Sequence, residues 1–292
     1  MADRWYRGLS VTFACCLIAI LAGCTGQATG VNASGGPPGP SPAVAAGDAS
    51  TGPVRVLQLN LCNSGIAGCY SDGRSIEEGA SVISAEKPDL VTLNEVCEGD
   101  MPILERALAR AVPGGKAVSA FRAARDRNTG DDYLCANGQK FGNGIVSRWR
   151  SVPGTSASSG VYPVQDPVDP EERSWACLEV AATPAVAVCT THLSYITRET
   201  TVAQCKYLFD TVVAGLRERD GAATPLVLGG DLNLGSGDSA DLKSCLPAGS
   251  AVVDDGGQQH VVVTPEFVVD STRTIDMRAT DHPGLLVTLA LR

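Results

Sequence analysis

The stretch Leu226 to Gly235 reads LVLGGDLNLG, a short apolar run that meets a glycine pair and then offers Asp231 and Asn233 two positions apart. Glycine-bounded apolar runs of this length read as buried strands that end in a loop. Side chains alternate along an extended chain, so Asp231 and Asn233 can project together while Leu232 points into a core. A carboxylate so placed can ligate a hard cation or accept a proton from water, and an amide beside it can fix the attacking oxygen. The competing reading is an Asx turn that merely closes the strand.

The same punctuation recurs along the chain. Asn60 ends the alternating run VRVLQLNL, Glu95 ends LVTLNEV, and Asn143 sits between two glycines in FGNGIVSR. Arg173 enters one strand of a hairpin, His192 follows the other, and Asp281 and His282 introduce the last apolar strand. Polar groups at so many strand ends exceed what capping needs, and ligands in sheet proteins gather at strand ends. A phosphate ester is anionic, so a cation with arginine and imidazolium would collect the charge that develops on it, and Asp231 with Asn233 would place the water.

The elements that must position these groups follow from periodicity. Strands are expected over 54–61, 90–96, 141–148, 173–180, 185–191, 251–253, 260–264 and 285–291, besides the run ending at Asp231. Helical spacing covers 75–86, 101–111 and 200–219, where Val202, Cys205, Leu208, Phe209, Val212 and Leu216 form one stripe, and a short helix is expected over 241–246. Segments 126–139 and 151–171 read as surface loops.

Taken together, LNL at 59–61, LNEV at 93–96, GNGIVSR at 142–148, Arg173, THL at 191–193, GGDLN at 229–233 and TDHPGLLVTL at 280–289 resemble the endonuclease/exonuclease/phosphatase superfamily, the deoxyribonuclease-like phosphodiesterases. The resemblance spans 54–292 in order. It implies an α/β (α+β) four-layer sandwich, two central mixed sheets flanked by helices, and metal-dependent cleavage of phosphate esters. On matching positions, Glu95 would hold Mg²⁺ or Mn²⁺ with Asn60, and Asp281 would belong to the metal or its water shell. Asp231 would orient or deprotonate the water beside Asn233, while His282, His192 and Arg173 would face phosphate oxygens, with Asn143 a further phosphate or water contact. In one place the chain departs from the pattern: where relatives carry an Asp against the last His, the slot in QQHVVVTP reads as His260.

The departure keeps open a catalytically inactive binding module on the same scaffold. Among active readings, a nuclease-type phosphodiesterase comes first and a phospholipid (sphingomyelinase-like) phosphodiesterase second. The formal charge of −9, with no basic stripe, argues against tight sequence-independent nucleic-acid binding.

Arg4 and Arg7 precede an apolar segment ending in Leu21-Ala22-Gly23-Cys24, which has the form of a lipoprotein export signal over 1–23, with Cys24 lipidated. A plain signal peptide is the alternative. Residues 24–53, rich in Gly, Pro and Ser, read as a tether to a membrane, and the folded domain as 54–292. The protein is therefore expected outside the cytoplasm, lipid-anchored or secreted, and a monomer is assumed. Of 11 cysteines, eight remain from Cys62 onward, an even number that suits four disulfides in an exported chain. Cys177 with Cys189 follows from the symmetry of the hairpin. Cys62 with Cys69 and Cys205 with Cys245 are the further pairings expected.

Overall fold

The structure is a computed structural model that describes residues 52–218, 224–235 and 242–292. The export signal, Cys24, nearly all of the tether and Asp241 lie outside the described residues.

Twelve strands form two six-stranded sheets. The first contains β1 (Val54–Asn60), β2 (Leu90–Cys97), β3 (Val118–Ala123), β4 (Phe141–Ser147), β11 (Phe267–Ile275) and β12 (Gly284–Leu291), ordered β11-β12-β1-β2-β4-β3. The second contains β5 (Ser158–Val161), β6 (Ser174–Val180), β7 (Val186–His192), β8 (Leu226–Asp231), β9 (Ala251–Asp254) and β10 (Gln259–Val263), ordered β5-β6-β7-β8-β10-β9. Each sheet has one parallel pair, β1 with β2 and β7 with β8, and antiparallel neighbours elsewhere. Both sheets are mixed, as expected.

Strand alternation divides the apolar side chains between layers. Val54, Val56, Val188, Val227 and Val261 meet between the sheets. Leu57, Leu59, Val91 and Leu93 face the other way, onto α1 (Arg74–Glu86) and α2 (Met101–Ala111). Ala187, Leu226, Leu228 and Val262 face a helical run made of α3 (Arg198–Tyr207), a π-helical segment (Leu208–Val213) and α4 (Ala214–Arg217). The result is helices, sheet, sheet, helices. Pro88 ends α1 as its position requires, with Lys87 turned into the left-handed region at φ 49°. The expected short helix is a 3-10 turn, Leu242–Ser244.

Three strands escape the sequence reading: β3, β11 and β5, the last inside a segment expected to be loop. All three are sheet edges. Edge strands are half solvated and carry little apolar alternation, and β11 is exposed along most of its length.

The disulfides are Cys62–Cys69, Cys97–Cys135, Cys177–Cys189 and Cys205–Cys245, so all three expected pairings are present. Cys177 and Cys189 are direct cross-strand partners. Cys205–Cys245 closes 40 residues and ties α3 to the segment after β8. Loop-closure entropy gives such a bridge about 4 kcal/mol. Replacing both cysteines by alanine is therefore expected to lower unfolding free energy by about that amount in denaturant titration, and a loss below about 1 kcal/mol contradicts the entropic account.

Candidate active site

All the strand-end groups except one reach a single mouth, for a topological reason. The two parallel pairs point their C-terminal ends the same way, delivering Asn60, Glu95, His192 and Asp231. Their antiparallel neighbours bring the opposite ends there, so Arg173 precedes β6, Gln259 begins β10 and His282 precedes β12. Glu95, Arg173, His192, Asp231, Asn233, Asp281 and His282 line one cavity of about 720 Å³.

Glu95 reaches this cavity through a β-bulge. Leu93 pairs with Gly144 and Val96 with Gly142, so β2 carries one residue more than β4 across this step. Val91, Leu93 and Val96 face the helices, while the extra residue lets both Asn94 and Glu95 face inward, Glu95 at φ 55°. Without the bulge, alternation would turn Glu95 into the helical core.

Asn60 Nδ2 donates to Glu95 Oε1 at 2.9 Å and to Asp231 Oδ2 at 3.1 Å, so one amide bridges the carboxylates of the two sheets. Its Oδ1 accepts from the Cys62 N–H at 3.1 Å. As placed, Asn60 therefore holds the carboxylates and would offer a cation an oxygen only with its amide reversed. Asp231 is 2% exposed. Its Oδ1 accepts from the Asn233 N–H at 3.2 Å, an Asx turn, and its Oδ2 accepts from Gln259 at 2.7 Å, so the turn reading and the site reading hold together. His282 Nε2 lies 3.7 Å from Asp231 Oδ2 and 3.6 Å from Asp281 Oδ1.

Burial raises the Asp231 carboxyl above its ordinary range, against His282 and the hydrogen bonds from Asn60, Gln259 and Asn233. It raises Glu95 as well, with Asp231 adding to the effect. His192 moves the other way. Its Nδ1 is buried without a hydrogen-bond partner, 4.0 Å from Glu95, and burial with Arg173 nearby pulls its pKa well below the usual value. Both causes favour the uncharged ring.

Arg173 is 2% exposed. Asp169 takes its Nε at 2.9 Å and Glu171 its Nη2 at 3.2 Å, while Nη1 has no protein partner. Burial alone would lower the Arg173 pKa, and the two carboxylates outweigh it. Glu171 is pushed up to about 7 by burial, which Arg173 offsets in part and Asp169 and Glu95 reinforce. A raised carboxyl binds more protons folded than unfolded, so its contribution is fully present below about 4.5, the unfolded value, and is lost as pH rises through about 7. Glu171→Gln should therefore remove up to about 3 kcal/mol of pH dependence over that window. Melting temperatures of the two proteins from pH 4 to 8 check it; parallel curves contradict it.

Asn143 is buried off the cavity wall and accepts from Asn94 Nδ2 at 2.9 Å, so here it supports Asn94. The glycines around it are explained by packing: a Cβ at Gly142 would meet the Arg122 carbonyl, and one at Gly144 the Met101 sulfur. His260 does not occupy the slot against His282. It points to the helical side, its Nδ1 2.7 Å from the Gln258 carbonyl, and the neighbour of His282 is Gln259, 3.3 Å from Nδ1. Asp281 flanks His282, and the carboxylates of Glu95, Asp231 and Asp281 do not form a trio with ligand atoms within 4.8 Å.

Gln58, Thr92, Asn94 and Gln259 were not singled out in the sequence, yet they join the sheets behind the site. Polar residues at 58, 92 and 94 on the inward parity of apolar strands were the available signal. Close sheet approach also explains Gly229, where a Cβ would collide with the Thr92 side chain.

The donor set suits a hard cation. Buried Asp231 and half-buried Glu95 share one amide, and the cavity lining holds five carboxylates, Glu95, Asp169, Glu171, Asp231 and Asp281, against two guanidinium groups, Arg173 and Arg198.

No protein-family model matches the chain, and no curated protein matches it. Solved structures do. An endonuclease/exonuclease/phosphatase from Beutenbergia cavernae aligns at TM-score 0.61 with 22% identity, over 82% of this chain and 72% of that one. D. rerio TDP2, complexed with single-strand DNA product, aligns at 0.59 with 16% identity, over 81% and 98%. ANGEL2, a 2',3'-cyclic phosphatase in complex with adenosine-2',3'-vanadate, aligns at 0.58 with 13% identity, over 82% and 96%. At these identities the likeness is one of architecture, and on it, with the two facing mixed sheets and their helical layers, the chain has the endonuclease/exonuclease/phosphatase fold.

Proposed function

We propose that this chain is a divalent-cation-dependent phosphodiesterase that acts outside the cytoplasm. The observation that supports it best is the pairing of Glu95 and Asp231 across the two sheets by one Asn60 amide, at the open end of a cavity that also holds Arg173 and His282. Glu95 would hold Mg²⁺ or Mn²⁺, with Asn60 a further donor once its amide is reversed and Asp281 a donor to the ion or its water shell, and the cation would offset phosphate charge when bound. Asp231, an acceptor among donors, orients the attacking water and takes its proton, and Asn233 fixes the loop by donating to the Leu193 carbonyl at 2.9 Å. Arg173 offers its Nη1, which makes no protein hydrogen bond, to a phosphate oxygen, and His192 stands 4.0 Å from Glu95 in the cavity wall.

A nuclease-type substrate is supported by the likeness to TDP2 with bound DNA product. A phospholipid is the second reading, favoured by the acidic lining and by exposed apolar side chains near the cavity. Ile66 and Tyr195 line it at 59% and 67% exposure, and Val168, at 72%, adjoins Asp169. The test is hydrolysis of bis(p-nitrophenyl) phosphate with Mg²⁺ and with EDTA, followed by a panel of plasmid DNA, RNA, sphingomyelin and inositol phosphates. Mg²⁺-dependent turnover supports the reading, whereas a folded protein that turns over nothing and is indifferent to chelator leaves the inactive binding module.

A further inference from the structure

The side-chain amides behind the site can be oriented in only one sense, and that sense fixes where His282 carries its proton. Two backbone groups anchor the chain of bonds. The Asp231 N–H donates to Asn94 Oδ1 at 2.8 Å, and Asn94 Nδ2 donates to the Thr191 carbonyl at 2.9 Å, so the Asn94 amide cannot be turned over. Asn94 Oδ1 also lies 2.7 Å from the nearer terminal atom of Gln58, which must then be Nε2. Gln58 Oε1 accordingly accepts from the Thr92 hydroxyl at 2.5 Å. The second hydrogen of Gln58 Nε2 goes to Gln259 Oε1 at 3.0 Å, which leaves Gln259 Nε2 facing Asp231 Oδ2 at 2.7 Å and His282 Nδ1 at 3.3 Å. Turning Gln259 over would set its oxygen against the Asp231 carboxylate and its nitrogen against that of Gln58, two repulsive contacts between buried groups.

We infer that Gln259 is a positioning residue that holds His282 as the Nε2–H tautomer. Both Gln259 hydrogens are spent, one on Asp231 and one on Nδ1, so Nδ1 accepts and the ring proton sits on Nε2. That nitrogen faces Asp231, Asp281 and the cavity. His282 is then a hydrogen-bond donor to a substrate oxygen and has no lone pair on that nitrogen with which to take a proton from water. The division of labour follows: Asp231 accepts, His282 donates. The tautomer rests on the hydrogen-bond geometry alone; only its catalytic consequence rests on the phosphodiesterase reading.

The test is long-range ¹H–¹⁵N NMR of the purified chain labelled at histidine ring nitrogens, with chelator present. The chain has three histidines, and the His282 pattern is identified by its loss in His282→Gln. The expected pattern is a pyridine-type Nδ1 and a pyrrole-type Nε2. Gln259→Glu should exchange the two types, because a carboxylate accepts from Nδ1–H. If that variant does not fold, Gln58→Met releases the Gln259 amide and should give averaged signals. A pyrrole-type Nδ1 in the wild type overturns the inference, as does a pattern unmoved by both variants. Where hydrolysis is measurable, Gln259→Glu should lower kcat about 10²-fold with little change in KM. The expected ring pattern in a protein without activity leaves this inference standing and removes the functional one.

Discussion

Asp231→Asn is expected to lower kcat on a small phosphodiester by about 10²- to 10⁴-fold, with KM changed far less. The carboxylate is surrounded by donors: the Asn233 N–H on one oxygen, Asn60 and Gln259 on the other. An amide at this position must set its own NH₂ against one of those donors, and it cannot take a proton from water. Steady-state kinetics on the folded variant decide the matter, folding being checked by its melting temperature. Activity within threefold of the wild type would mean that Asp231 serves only the turn it closes, and the proposed chemistry would lose its acceptor.

Glu95→Gln carries the second large effect. The variant keeps the size of the side chain and the bulge that aims it, but removes the charge that a hard cation requires. We expect the Mg²⁺ concentration for half-maximal activity to rise by at least about 10- to 100-fold, the range seen when even an outlying partner of a metal ligand is removed. A measurement independent of turnover accompanies it. Mg²⁺ at about 100 times the wild-type Kd should stabilise the wild type by about 2.7 kcal/mol through mass action and the variant, at the same concentration, by only about 0.4 to 1.4 kcal/mol. Equal stabilisation of both proteins would remove Glu95 from the cation site.

Much of this site was legible because its residues occupy strand ends. LVLGGD and LVTLNE announce a buried strand by their apolar run, both strands form as expected, and the carboxylate that ends each lines the cavity. The hairpin carrying Cys177 and Cys189 was equally plain, since residues equidistant from a turn face each other. Less legible were groups whose role depends on a partner far away in sequence. Gln259 looks like one of two adjacent glutamines in a loop, yet it meets Gln58, 201 residues distant, and fixes Asp231 and His282. His260 stands one residue beyond the slot, and in a strand one residue exchanges the faces of the sheet.

By itself the sequence determined the strands and helices with strong periodicity, the polar residue waiting at each strand end, and the Cys177–Cys189 pair across its hairpin. Those depend on local alternation and spacing, which a linear reading contains. Only the tertiary structure decided which way each polar group turns: the bulge that brings Glu95 inward, the Asn60 amide that faces carboxylates, the burial of His192, the retreat of Asn143, and the one-way amide chain behind His282. Such orientations are set by cross-sheet hydrogen bonds and burial between segments far apart in the chain, and no stretch of sequence carries that information alone.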